Sequence, residues 1–344
     1  MATSAATEQA PGPAQATEPE ILHSGRASLI SVVFAWLLRI TLRPLIAVGA
    51  ATSALAIRLG PAGIEMWPVW TSLLRFTDWD GPFARPPRGT EIERVRLPAC
   101  DAELIRAPGV QAGGPVVLYF HGGGYVACGI ASHRRLAAQI SRAAGASVFN
   151  VGYRLLPRSA IMLAIEDGVA AYRKVLDDGI GSERIVFAGD SAGGGLSFLV
   201  AAATRDAGLP MPAGIVGISP WAEIDPATKL GHPNARRDAV VPVKTLSFIV
   251  DKLISKGDAL GALLSPVNLD LHGFPPTLIH AGTAEVLALD ARNLADRLAG
   301  AGVPVTLKLW QGQVHDFQLI GLGRLPEARQ AIDEIGAFVG RVTA

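Results

Sequence analysis

Cysteine is almost missing from this chain: Cys100 and Cys128 are the only two among 344 residues. Two cysteines build neither a disulfide framework nor a zinc pattern, which points to a reducing compartment and two free, buried thiols. Net charge is equally scarce. Thirty-one Lys and Arg stand against 30 Asp and Glu, a balance of +1, and no basic run or arginine–aromatic stripe marks a nucleic-acid surface. Long unbroken apolar runs are lacking too. Residues 28–38 are strongly apolar, but Arg39 and Arg43-Pro44 interrupt the run before it resumes at Leu45, and neither piece reaches the roughly 18 uncharged residues of a membrane span. Residues 1–20 hold almost no large apolar side chain. They also lack the basic start and apolar run of a signal peptide, so a flexible tail on a cytoplasmic protein is expected.

What the chain does have is glycine, 38 of it, and 49% hydrophobic residues, enough to bury a large core. Residues 21–84 read as cap helices, with Pro44 breaking one helix or starting the next. They form a lid over an apolar site or ordinary core cover, and residues 28–60 carry enough apolar surface for peripheral membrane contact. Trp67, Trp70 and Trp79 lie in this region and are candidates to line a pocket, with Phe248 further on.

From residue 85 the pattern changes. Residues 91–97 and 102–106 alternate polar and apolar, as an antiparallel edge hairpin does. A continuous apolar run follows at 115–120, further strands are expected at 146–151, 184–188, 215–219, 277–281 and 303–310, and helical stretches lie at 132–144, 161–176, 196–207, 287–299 and 327–339 between and after them. Buried strands alternating with helices give an α/β fold with a mostly parallel, doubly wound, eight-stranded sheet spanning 85–344. More than fifty residues separate Ser219 from Pro275, where a plain crossover needs one helix, so an insertion at about 222–262 is expected to complete a helical cap.

Two glycine motifs carry chemistry. The first is Gly189-Asp190-Ser191-Ala192-Gly193-Gly194, between a strand and a helix. Alone it is weak, with roughly 0.2 occurrences expected by chance, and its plain reading is a glycine-rich βα turn. In this strand-to-helix setting the flanking glycines leave room for a strained turn that exposes Ser191 as a nucleophile. The second, His121-Gly122-Gly123-Gly124, directly follows a buried strand and has a chance expectation of only about 0.01. A loop without side chains can aim its N–H groups at an oxyanion, so Gly122, Gly123 and Gly124, with Ala192 after the nucleophile, are the candidate donors. A phosphate-binding loop is the rival reading, but neither a P-loop lysine nor G-x-G-x-x-G is present.

A serine nucleophile needs a base and an orienting acid from loops at the carboxyl edge of the sheet. Of seven histidines, His315 follows the last strand and is the candidate base. Glu285, just past the preceding strand, is the candidate acid, and Asp290, further along in the expected helix, is the second choice.

These stretches, together with Ser219-Pro220-Trp221 and Val314-His315-Asp316-Phe317, resemble the hormone-sensitive-lipase-like (family IV) branch of α/β-hydrolase esterases over residues 85–344. The resemblance implies an α/β-hydrolase fold and hydrolysis of short- to medium-chain acyl esters. It also implies no metal and no organic cofactor, and a cap built partly from the amino terminus. Family members commonly carry Asp-Tyr-Arg-Leu-Ala-Pro-Glu where this chain has Gly152-Tyr153-Arg154-Leu155-Leu156-Pro157-Arg158, often His-Gly-Phe in place of His315-Asp316-Phe317, and more often Asp than Glu as the acid. The expected partner is a small-molecule ester, and a homodimer is compatible with the sequence. Other readings are an amidase or deacetylase of a small acylated molecule, a membrane-peripheral lipase, and a small-molecule binding protein on the same fold.

Overall fold

The computed structural model describes residues 18–59, 77–78, 84–254, 263–321 and 323–344. Trp67, Trp70 and Trp79 lie outside these residues. Strands β1 (Glu20–His23), β2 (Glu91–Arg96), β3 (Asp101–Arg106), β4 (Val116–Phe120), β5 (Ser147–Gly152), β6 (Ile185–Asp190), β7 (Gly214–Ile218), β8 (Thr277–Gly282) and β9 (Val305–Trp310) form one sheet. Their order is β1-β9-β8-β7-β6-β4-β5-β3-β2. Only the β2–β3 and β3–β5 pairs are antiparallel.

Alternation along β4 shows why the central strands read as continuous apolar runs. Leu118 and Phe120 face one buried cluster, while Val117 and Tyr119 face the other. Helices cover both sides, as a parallel sheet requires. On one face lie α2 (Ile130–Ala144) and α9 (Pro326–Val342); on the other lie α3 (Ile161–Asp177), α4 (Ser191–Asp206) and α7 (Ala288–Gly300). Between β7 and β8 come the short helices α5 (Ala227–Leu230) and α6 (Val243–Ile249), and after β9 comes α8 (Phe317–Ile320).

The sheet has nine strands, not eight. The additional strand is β1, paired in parallel with residues 306–309 of β9. All four of its residues are exposed, so no hydrophobic alternation announces it. What holds it is the open edge of β9, together with bonds such as Thr306 Oγ1 donating to Glu20 Oε2 at 2.7 Å. Among the described residues, the amino-terminal segment therefore has a strand ahead of its helix.

The second difference is α1 (Leu29–Leu59), one 31-residue helix with Pro44 inside it, where a break was expected. Its first turns are moored to the core. Ser28 N and Ser31 Oγ donate to Glu327 at 2.6 and 2.7 Å, and Phe34, Ala35 and Leu38, one helical face, pack against the cluster of Trp310, Val314, Phe317 and Leu325. Further along, Arg43 donates to the Arg236 carbonyl. Because the helix is continuous, Leu29–Gly49 forms a 21-residue segment of mean hydropathy 1.8, long and apolar enough to cross a membrane and only 6% buried.

Strand register places the chemistry. Phe120 of β4 lies level with Gly189 of β6, and Asp190 lies level with Ile218 of β7. The loop after β4, the turn into α4 and the loop after β7 therefore leave the same edge side by side. The loops after β8 and β9 join them there, since Gly282 pairs with Trp310.

Candidate active site

The turn at Ser191 explains its glycines. Ser191 is the first residue of α4 and has φ 51°, a left-handed conformation that costs a non-glycine residue energy. A Cβ on Gly193 would fall on the carbonyl oxygens of Phe120 and His121, and one on Gly189 would meet the Gly193 and Phe120 carbonyls. Both positions must be glycine for α4 to start this close to β4.

Asp190, between them, organises the neighbouring loop. Its Oδ1 accepts from Tyr119 OH at 2.6 Å and from Gly122 N at 3.0 Å, while Oδ2 lies 3.2 Å from His133 Nε2. Of the candidate oxyanion donors, one is already engaged. The Gly122 N–H is committed to Asp190, whereas the N–H groups of Gly123, Gly124 and Ala192 make no hydrogen bond among the described residues. Gly123 and Gly124 both have positive φ, 110° and 63°, backbone that glycine adopts without strain. A Cβ on Gly124 would lie 3.2 Å from Ile249 Cδ1, which shows that the 222–254 insertion packs over this loop.

Glu285 and His315 meet. Glu285 is fully buried. Its Oε2 lies 2.5 Å from His315 Nδ1, and its Oε1 accepts from Ser219 Oγ at 2.8 Å and Gly282 N at 2.5 Å. Asp290, the second choice for the acid, is placed elsewhere. Its Oδ1 lies 3.0 Å from Lys229 Nζ in a fully buried ion pair, and its Oδ2 accepts from Ala222 N and Glu223 N. It therefore ties down the start of the insertion. Burial pushes Asp290 up to about 6 against the pull of Lys229.

Of the other six histidines, His23 is exposed on β1 beside Gln311. His133 is bound to Asp190, and burial pushes His121 and His280 down to about 4 and about 3. His232 accepts from Asn234 N, and His272 is exposed beside Asp270. Cys100 and Cys128 are free and half-buried. Burial raises both thiols to about 12, so neither is a thiolate at neutral pH. No group of three or more metal-ligating side chains occurs among the described residues.

Three supporting residues were not assigned roles from the sequence. Ser219, with φ 44°, carries the hydroxyl that holds Glu285. Asn234 Nδ2 donates to the Thr283 and Glu285 carbonyls at 2.9 and 2.7 Å. Asp238 Oδ2 accepts from Val286 N at 2.7 Å, and its Oδ1 accepts from Val240 N and Val241 N. The insertion thus clamps the acid loop from above as well as covering the site. Of the three, only Ser219 lay in a recognisable motif.

The base is less simply placed. His315 Nε2 lies 3.0 Å from Asp316 Oδ2, and Ser191 Oγ makes no hydrogen bond among the described residues. Serine, imidazole and acid come from the three strand-end loops that the register brings together, with the imidazole turned toward the acid next to it in the chain.

Residues 117–319 match the family model described as alpha/beta hydrolase fold. The chain belongs to the α/β-hydrolase fold family. Within it, this hydrolase is 37% identical over 334 residues to "Carboxylesterase/phospholipase LipF" of Mycobacterium tuberculosis, covering 94% of this chain and 85% of LipF. Among solved structures it resembles the esterase EstE5, soaked with p-nitrophenyl butyrate, with a TM-score of 0.77 at 34% identity over 92% of this chain and 99% of that one. It also resembles an esterase from the bacterial hormone-sensitive lipase family, with a TM-score of 0.71 at 36% identity over 76% of this chain and 87% of that one. These likenesses place the hydrolase in the hormone-sensitive-lipase-like branch, among carboxylic ester hydrolases.

Proposed function

We propose that the chain hydrolyses short- to medium-chain acyl esters through a Ser191–His315–Glu285 triad and an acyl-enzyme. The observation that carries this reading is the 2.5 Å contact between Glu285 Oε2 and His315 Nδ1 at the same sheet edge as a serine held in a left-handed turn. His315 takes the Ser191 proton as the hydroxyl attacks the ester carbonyl, and then delivers it to the leaving alcohol. Water repeats the attack on the acyl group, with His315 again the base. Through both steps Glu285 keeps the Nδ1 proton in place, so that Nε2 is the basic nitrogen. The N–H groups of Gly123, Gly124 and Ala192 stabilise the oxyanion, each typically contributing roughly 3 kcal/mol to the transition state. In the resting geometry Nε2 must turn from Asp316 to Ser191. Such hydrogen bonds often tighten only when substrate is bound.

The test is hydrolysis of p-nitrophenyl esters from acetyl to palmitoyl beside matched anilides. The expected result is a maximum of kcat/KM at short to medium acyl chains with anilides far slower. Faster anilide cleavage would make the enzyme an amidase.

A second reading adds a lipid surface, and α1 favours it. Its side chains at Leu29, Val32, Trp36, Ile40, Leu45 and Val48 are 50–80% exposed, and its only charged residues are arginines, 39, 43 and 58. An apolar helix with cationic flanks suits the interface of an anionic phospholipid layer. The word phospholipase in the name of LipF agrees with that setting. The full chain is expected to float with phosphatidylglycerol vesicles. The double variant Trp36→Glu/Ile40→Glu, at exposed positions of α1 rather than on the face packed on the core, should bind at least roughly tenfold more weakly, given about 1.5–3 kcal/mol per buried apolar side chain. If the wild-type chain stays at the bottom of the gradient, the lipid reading fails, and gel filtration then tests whether a second copy covers the helix.

A further inference from the structure

The carboxylate of Asp316 lies against His315 Nε2, the nitrogen that the triad reading needs free for the Ser191 proton. Asp316 has φ 50°, is 5% exposed, and follows the base directly. Its backbone N donates to Ser219 Oγ at 3.4 Å. Oδ2 is 3.0 Å from His315 Nε2, while Oδ1 is buried with no hydrogen-bond partner. One oxygen of the carboxylate is therefore in close charge contact with the imidazole, and the other has no hydrogen-bond partner among the described residues.

With Glu285 on Nδ1 and Asp316 on Nε2, the ring faces an acid on each side. A neutral imidazole carries one N–H and satisfies only one of them. Satisfying both takes a second proton, placed on Nε2 or on Asp316 itself. In either form Nε2 is occupied and cannot take a proton from Ser191. The surroundings favour keeping that second proton. Asp190, Glu285 and Asp238 are buried acids beside this cluster, and among the described residues His133, His121, Tyr119 and Ser219 stand next to them. Burial alone would lower His315, but Asp316 and then Glu285 raise it well above the ordinary histidine range. Burial pushes Asp316 up to about 7, with His315 pulling the other way.

We propose that Asp316 gates the base: its carboxylate holds Nε2 of His315 in the resting enzyme, and Ser191 becomes nucleophilic only when that contact is released. This rests on the triad reading given above. As pH rises the shared proton leaves to solvent, Nε2 regains its lone pair, and the anionic carboxylate is repelled from it and swings toward its unbonded side. Asp316 touches neither substrate nor nucleophile in this scheme. It is a positioning residue that delays the onset of activity to higher pH.

The experiment is kcat/KM against pH on a soluble p-nitrophenyl ester for the wild type, Asp316→Gly and Asp316→Asn. Ser191 labelling by a fluorophosphonate is followed across the same range. Glycine suits the positive φ, and asparagine keeps the shape without the charge. Removing the acid lowers the imidazole's affinity for its proton, so the rising limb should move to lower pH in both variants. Relative to its own plateau, each variant should be at least about tenfold more active than wild type well below the wild-type limb, one pH unit being one decade. Fluorophosphonate labelling should shift in parallel. Unmoved limbs in both variants would overturn the gate. Should the variants fail to fold, 15N-histidine spectra of the wild-type protein decide it. Protons on both nitrogens of His315 at neutral pH with Asp316 anionic, or a proton on Asp316, support the gate, and a singly protonated ring beside an anionic Asp316 overturns it. If Ser191→Ala keeps its turnover, the triad reading has failed. If that variant is dead while the limbs do not move, the gate alone has failed.

Discussion

Ser191→Ala is expected to lower kcat by roughly 10⁴- to 10⁶-fold, the range seen when a triad nucleophile is removed, with a melting temperature close to that of the wild type. Stability should survive because Ser191 Oγ makes no hydrogen bond among the described residues, so removing it orphans no partner, and alanine keeps a Cβ at the same left-handed turn. The loss should also be non-additive. Once the nucleophile is gone the base has nothing to deprotonate, so Ser191→Ala/His315→Ala should be no slower than Ser191→Ala alone. Steady-state rates on an acetyl or butyryl ester, with thermal melts of both proteins, make the measurement. Substantial turnover in a well-folded Ser191→Ala protein would remove the triad.

Glu285→Gln should cost roughly 10³- to 10⁴-fold in kcat, for a reason set out in its three hydrogen bonds. Oε1 accepts from Ser219 Oγ and Gly282 N, and Oε2 faces His315 Nδ1. Glutamine can keep its oxygen on the first two donors, but its amide NH₂ then faces Nδ1 and demands an acceptor there. The neutral ring must place its proton on Nε2, the nitrogen needed to receive the Ser191 proton. The side chain differs by one hydrogen-bonding group and almost nothing in volume, so the fold should hold while the chemistry fails. Parallel circular dichroism and kinetics separate the two. A Glu285→Gln enzyme working at near wild-type speed would show that the acid is another residue. The buried Asp290–Lys229 pair makes Asp290 a poor substitute, since its oxygens are already engaged.

The positions of the strands were open to reading because two buried faces impose a simple rule, apolar residues without interruption for five or six positions. β4 and the first five residues of β6 obey it and appear where the runs lie, while β8 is buried throughout although it carries Thr277 and His280. β1 does not obey it, being exposed on all four residues, and exists because β9 leaves an edge to pair with. Pro44 was expected to break a helix by removing one backbone donor, but α1 runs through it. Local rules lose there to the continuity of the chain around them.

Much of the site was settled by local backbone demand. The glycines at 189 and 193 are required by carbonyl oxygens that crowd the turn, and the order Ser191, Glu285, His315 follows from loops leaving one edge of a parallel sheet. Those requirements are written in residue type and spacing, so the sequence by itself determined the nucleophile, base and acid candidates and the fold that carries them. Only the tertiary structure decided that Asp190 takes the Gly122 N–H, that Asp238 clamps the acid loop, and that Ser219 reaches Asp316. These contacts join residues 68, 48 and 97 positions apart. No periodicity or motif encodes a hydrogen bond across such a span, because its existence depends on where two separately folded loops come to rest.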